Sequence, residues 1–166
     1  MLNYVKNKCR LYQTKFSFGA TSAIITNLGL IIGLDSLSHP KFSIIGGILV
    51  IALADNISDS VGIHIYQESE CITDREVWFS TFSNFFTRIL VSLTFIILVL
   101  ALPIRLAVFC SMVWGLLLLA FMSYTIAKDR GVSPYRAIFE HISIAVFVII
   151  VSSFLGKFLI SKFSKL

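Results

Sequence analysis

The sequence predicts an all-α integral membrane bundle of five transmembrane helices. Of its 166 residues, 57% are hydrophobic and 14% charged, against about 45–50% apolar and about 25% charged in a soluble domain. That much apolar surface exceeds what a soluble core of this size can hide, so the solvent is lipid. Five apolar runs approach or exceed the roughly 20 residues that a helix needs to cross the hydrocarbon layer. The breaks between them carry proline, glycine and charge.

Residues 1–15 read as a polar, basic leader ahead of a single membrane domain over 16–166. Val5, Cys9, Tyr12 and Phe16 recur at helical spacing, with Lys6, Lys8 and Arg10 between them. This is the pattern of a short amphipathic helix lying on an anionic leaflet. The first apolar run is itself long enough to span, so no cleavable signal is expected.

The spans fall at about 16–34, 42–66, 84–102, 104–127 and 137–160. The first ends in the proline-containing turn Asp35–Pro40. The second ends in the most charged stretch of the chain, Gln67–Glu76, which leaves a joining segment of about 67–82. Pro103 separates the third and fourth spans by almost no loop. Gly131 and Pro134 supply the stop and restart between the fourth and fifth. Arg88 falls near the start of the third span, where its long side chain is expected to reach the headgroups.

Orientation follows lysine and arginine. Lys6, Lys8, Arg10, Lys15, Arg75, Arg88, Lys128, Arg130 and Arg136 lie on one side. Lys41, Arg105, Lys157, Lys162 and Lys165 lie on the other. Nine against five predicts a cytoplasmic N-terminus and a non-cytoplasmic C-terminus.

Several classes are disfavoured. Cys9, Cys71 and Cys110 show no paired spacing and the three histidines are scattered, so neither a disulfide framework nor a zinc knuckle is expected. A net charge of +5, spread along the chain, gives no nucleic-acid footprint. No HExxH, P-loop or GxSxG motif occurs, so neither an enzyme nor a resident cofactor is expected.

The second span carries polar residues where lipid disfavours them. Asp55 lies at its middle, with Asn56, Ser58, Asp59 and Ser60 beside it. An aspartate at the bilayer centre costs roughly 2.5–3.5 kcal/mol, and such residues mark ion or proton pathways by default. Asp55 and Asp59 are four residues apart and share a helix face with Ile51, Ser58, Gly62 and Tyr66 at uniform α-helical spacing. Two neighbouring carboxylates repel unless one holds a proton or a cation sits between them. The pair therefore predicts a cation site, a proton relay, or both. A buried pair bonded to Asn27, Asn56 or a neighbouring arginine is the structural alternative.

The first span offers a matching stripe. Ser22 and Thr26 present oxygens that a hard cation can use. Gly29 and Gly33 allow close helix approach, here expected between two protomers. Asn27 points to another side as a link between helices. Glu68 and Glu70, at the cytoplasmic end of the second span, form a candidate cation entry, with His64 four residues before Glu68. Glu140 and His141 begin the fifth span near the interface, where a carboxylate suits the helix dipole.

Three stretches carry a family resemblance. Residues 18–34 (FGATSAIITNLGLIIGL), residues 54–70 (ADNISDSVGIHIYQESE), and GVSPYR at 131–136 followed by LGKFL at 155–159 resemble the vacuolar iron transporter family. The resemblance implies a five-span homodimer that exchanges ferrous or similar divalent ions for protons, out of the cytoplasm, with the first span lining the pathway. The family's first-span aspartate falls at Ser22, its second-span methionine near Asp59 and its second-span glutamate near Ile51. The glutamate-rich domain that some members carry between spans two and three is absent. An aspartate in place of methionine favours harder ions such as manganese, magnesium or calcium. The expected function is transport of a divalent cation, iron or manganese in class, bound by Asp55, Asp59, Ser22 and Thr26. The alternative is a non-transporting membrane scaffold or regulator that keeps the fold.

Overall fold

A computed structural model of the chain describes residues 19–163. The basic leader and the start of the first span lie outside the described residues. Five helices follow one another: α1 (Gly19–Leu34), α2 (Pro40–Ser69), α3 (Asp74–Ala101), α4 (Ile104–Arg130) and α5 (Pro134–Phe163). No strand occurs among the described residues. α2 to α5 are each long and apolar enough to cross a membrane, and α1 is a shorter apolar helix. The chain is a multi-pass, all-α membrane bundle.

The turns explain where the helices end. Cys71 takes a left-handed φ of 54°, and the amides of Cys71 and Ile72 bond back to the carbonyls of Glu68 and Gln67. This closes α2 in very few residues. Thr73 then sits in extended backbone at the N-cap of α3, with Asp74 and Glu76 in the first turn, where the helix dipole favours negative charge. The expected 67–82 loop is thus a short turn, and α3 starts ten residues before the apolar run that announces it. At the other end, Lys41 donates to the carbonyls of Leu100 and Leu102, at 3.0 and 3.3 Å, and satisfies the last turn of α3. Gly131 closes α4 with a left-handed φ of 68°, a conformation glycine adopts without steric cost. Pro134 opens α5 at a position where its missing amide proton is not needed.

α1 is the central helix. Its Ala20, Ala23, Ile24, Asn27, Leu28, Ile31 and Ile32 are buried. A side chain at Gly47 of α2 would meet Leu30, one at Gly115 of α4 would meet Leu28, and one at Gly156 of α5 would lie 2.3 Å from the Gly33 carbonyl oxygen. Gly29 sits against Val148 and Ser152. Gly29 and Gly33 of the α1 stripe therefore meet α5 of the same chain, and both also line an open groove along α1. Small residues let these backbones meet because lipid supplies no hydrophobic drive between helices.

The interior is divided by polarity. Ile31, Ile44, Ile48, Phe95 and Val99 form an apolar core toward the α3–α4 turn. Asn56, Ser60, Gln67, Ser80, Asn84, Arg88 and Ser92 are buried toward the α2–α3 turn. The outer surface is covered by large apolar side chains such as Phe86, Leu90, Ile97, Phe121, Phe147 and Phe154. Such a surface is a liability in water and a requirement in lipid.

Gly156→Ala should destabilise the bundle by about 1–3 kcal/mol, the usual cost of overpacking. Gly33→Ala should change little, since its added carbon would find ordinary contacts at 3.7 Å and beyond. Thermal unfolding of the two variants in the same detergent checks this ordering.

Candidate cation site at the middle of the bundle

α2 is not uniform. Residues Ile51–Asp55 form a π-helical turn between two α-helical stretches. The buried face of α2 runs through Ile44 and Ile48 before this turn and through Asn56 and Ser60 after it. Ile48 and Asn56 are eight residues apart, which exceeds two α turns of 3.6 residues each. The wider turn absorbs the excess and keeps both residues on one face. It is also where that face changes from apolar to polar. Wide turns of this kind are frequent at functional sites.

Asp55 ends the π turn and Asp59 lies one α turn beyond it. Between them sits the guanidinium of Arg88, from the middle of α3. Its Nη2 is 2.5 Å from Asp55 Oδ2, and its Nη1 donates to Asp59 Oδ2. Nη1 also donates to Ser22 Oγ of α1 at 2.6 Å, and Ser22 Oγ lies 3.4 Å from Asp59 Oδ2. One planar cation thus joins three helices, with the fork geometry that makes arginine suited to paired acceptors.

The cluster is lopsided in charge and in burial. Two carboxylates face one guanidinium, which leaves one net negative charge. The Arg88 side chain is 2% exposed, while those of Asp55 and Asp59 are 43% and 35% exposed. The carboxylates stand at the outer side of the cluster and the guanidinium at its inner side. One turn before Asp55, Ile51 lines an open groove along α1, with Thr26, Gly29, Leu30, Gly33 and Val148 among its other walls.

The structure brings Asp55, Asp59 and Ser22 together. Thr26 lies one turn along α1 from Ser22 and lines the groove. Glu68 and Glu70 stand apart, at the far end of α2. Glu68 Oε1 is 3.4 Å from His64 Nε2, whose other ring nitrogen is 3.0 Å from Thr81 Oγ1. Glu70 caps α2 and is exposed. Gly62 faces open space rather than the cluster. Near the α4–α5 turn, Glu140 pairs with Arg136 at 3.0 Å and His141 bonds to Ser123 at 2.8 Å.

Arg88 overturns the expectation that its side chain reaches the headgroups. The ten helical residues before the apolar run move it from the start of α3 to the middle. There, Asp55 and Asp59 lie within its reach. The signal was present in the sequence: Ser80, Asn84, Arg88 and Ser92 recur every four residues along one face of α3. All four are buried. Asn27 completes this face by donating to Ser92 Oγ at 2.9 Å, the expected link between helices.

The cluster is a charge-balancing device as it stands. A divalent ion taken up as substrate would find two carboxylates and the Ser22 hydroxyl, oxygen donors suited to hard cations. It would take the place of the guanidinium between them. Among the described residues no three His, Cys, Asp or Glu side chains converge. Comparison with family models, curated proteins and solved structures finds no match to this chain.

The geometry changes what neutralising the aspartates does. Asp55→Asn or Asp59→Asn alone leaves Arg88 one carboxylate and should keep the fold. The double variant leaves a buried guanidinium without an anion, and breaking a buried pair in this way costs about 3–5 kcal/mol. Thermal unfolding in detergent should show the double variant losing far more than either single one.

Proposed function

We infer that the chain carries a divalent metal cation across the membrane, of the iron or manganese class, in exchange for protons. The observation that supports this most is the lopsided cluster itself. One fully buried arginine needs a single carboxylate for neutrality, yet two converge on it. Both keep part of their surface on the outer side of the bundle. A carboxylate turned toward hydrocarbon is costly, so that side is expected to face a second protomer or water during the working cycle.

Exchange follows from competition. A cation entering between the carboxylates displaces the guanidinium, and a proton on either carboxylate weakens the hold on both. Metal, proton and Arg88 then compete for the same oxygens. Asp55, Asp59 and Ser22 form the site, Thr26 borders its approach, and Glu68 and Glu70 gather cations at the α2–α3 turn. The resemblance to the vacuolar iron transporter family supports the same activity and a homodimer. The open groove along α1, whose walls include Gly29 and Gly33, suits the dimer contact. The lysine and arginine distribution, eight against five once the buried Arg88 is set aside, supports a cytoplasmic N-terminus and α2–α3 turn.

One observation favours a second function, a membrane scaffold that does not transport. Arg88 already supplies each carboxylate with a partner, so the cluster can serve to lock α1, α2 and α3 together.

Flux of Mn²⁺ or Fe²⁺ into liposomes holding the purified protein separates the two. A transporter should lose metal-dependent flux in Asp55→Asn and in Asp59→Asn while both variants stay folded. Acidifying the side from which the metal enters should slow uptake, because protons occupy the same oxygens. A scaffold gives no flux in the unaltered protein. Cys71, exposed in the α2–α3 turn, should react with an impermeant maleimide only from the cytoplasmic side.

A further inference from the structure

We propose that the buried polar face between α2 and α3 is a hydrated path that reaches from the α2–α3 turn to Arg88 and opens on that side alone. The proposal rests on the transport function, which gives such a path a destination.

The polar groups form a file of ordered depth. Gln67 donates to Ser80 at 2.7 Å near the turn. One level deeper, Asn84 donates to Ser60 at 3.1 Å, and Ser60 to Asn56 at 3.4 Å. The next level is Arg88 with its two aspartates. Asn27 and Ser92 close the file. Beyond them the same space is filled by Ile31, Ile48, Phe95 and Val99, all fully buried. Polarity on this α2–α3 face therefore ends about halfway along it.

A file of this kind serves packing alone when its members satisfy one another. These do not. Among the described residues, five buried side-chain atoms lack a hydrogen-bond partner within the protein. Four of them lie on this file: Gln67 Oε1, Asn84 Oδ1, Arg88 Nε and Asn27 Oδ1. The fifth, Ser111 Oγ of α4, lies off the file and nearer the α3–α4 turn. Orphaned polar atoms in a low-dielectric interior each cost about 1–3 kcal/mol, and water is the partner that buried polar groups ordinarily recruit. The four atoms are spaced along the file, so water bonded to them forms a row rather than an isolated site.

The charge at the inner end decides what travels. The buried guanidinium repels a metal ion approaching along the file, whereas the exposed side of the carboxylates carries no such barrier. Metal gathered by Glu68 and Glu70 is thus assigned to the exposed side of the carboxylates, and the file to water.

Single cysteines placed along the bundle test the path without reference to transport. Cys9, Cys71 and Cys110 are first replaced by serine. Ser60→Cys lies in the file short of Arg88, and Val99→Cys lies in the apolar plug. Ag⁺, a small thiol-binding ion, is added to sealed vesicles on the side from which native Cys71 is labelled. Thiols still free are counted with a fluorescent maleimide after denaturation. Ser60→Cys should lose its free thiol from that side and keep it when Ag⁺ is added to the other. Val99→Cys should keep it from both. Ser80→Cys takes the place of Ser60→Cys if that variant does not fold. Unreactive thiols at both file positions, or a Val99→Cys thiol lost as readily as theirs, would overturn the proposal. Reactive file thiols in a protein without metal flux would keep the path and remove the transport function. Flux with inert file thiols would do the reverse.

Discussion

The structure depends on hiding one guanidinium at the middle of a membrane bundle. A buried, unpaired charge is among the most expensive features a fold can carry, and a buried ion pair is tolerated only when its hydrogen bonds are nearly complete. Arg88 imposes that condition on three helices at once. α2 must present two carboxylates one turn apart, α1 must bring the Ser22 hydroxyl within reach, and α3 must enter far enough to place residue 88 at their level. The glycines of the α1 contacts follow from the same demand. Gly19 leaves room for Asn84, and Gly156 lets α5 close against the far half of α1.

The π turn in α2 reconciles two demands on one helix. Its first half must present isoleucines to an apolar core, and its second half must present Asn56 and Ser60 to α3. A uniform α-helix would drift off that face across the eight residues from Ile48 to Asn56. The wider turn at Ile51–Asp55 cancels the drift and sets Asp55 where polarity begins. The placement of Asp55 beside Arg88, where that face turns from apolar to polar, follows from this irregularity.

Most of the architecture was legible in the sequence because lipid leaves few alternatives. Runs of apolar residues, Pro103, and the Gly131–Pro134 break give helix number and order almost directly. The carboxylate pair was legible for the same reason, since an aspartate inside an apolar run announces itself. Two features were hidden. The first turns of α3, Asp74–Ser83, read as a charged loop because hydropathy falls there, although their acidic residues suit a helix N-terminus. That misplacement put Arg88 at the wrong depth and concealed its partners. The π turn left no mark either, because its sequence, Ile-Ala-Leu-Ala-Asp, is equally compatible with a plain α-helix. The destination of the Gly29 and Gly33 stripe could not be read from spacing, which gives close approach but never the identity of the neighbour.

The central claim is that Arg88 and the aspartates balance one another's charge, and the sign of a single substitution tests it most directly. Arg88→Gln is made in two backgrounds, the unaltered chain and the Asp55→Asn, Asp59→Asn double variant, and unfolding is followed in the same detergent. In the unaltered chain the substitution strands two carboxylates and should destabilise. In the double variant it removes a stranded guanidinium and should stabilise, so its effect reverses sign. Equal losses in both backgrounds would contradict the account, because they would mean that Arg88 contributes without regard to the charges it faces.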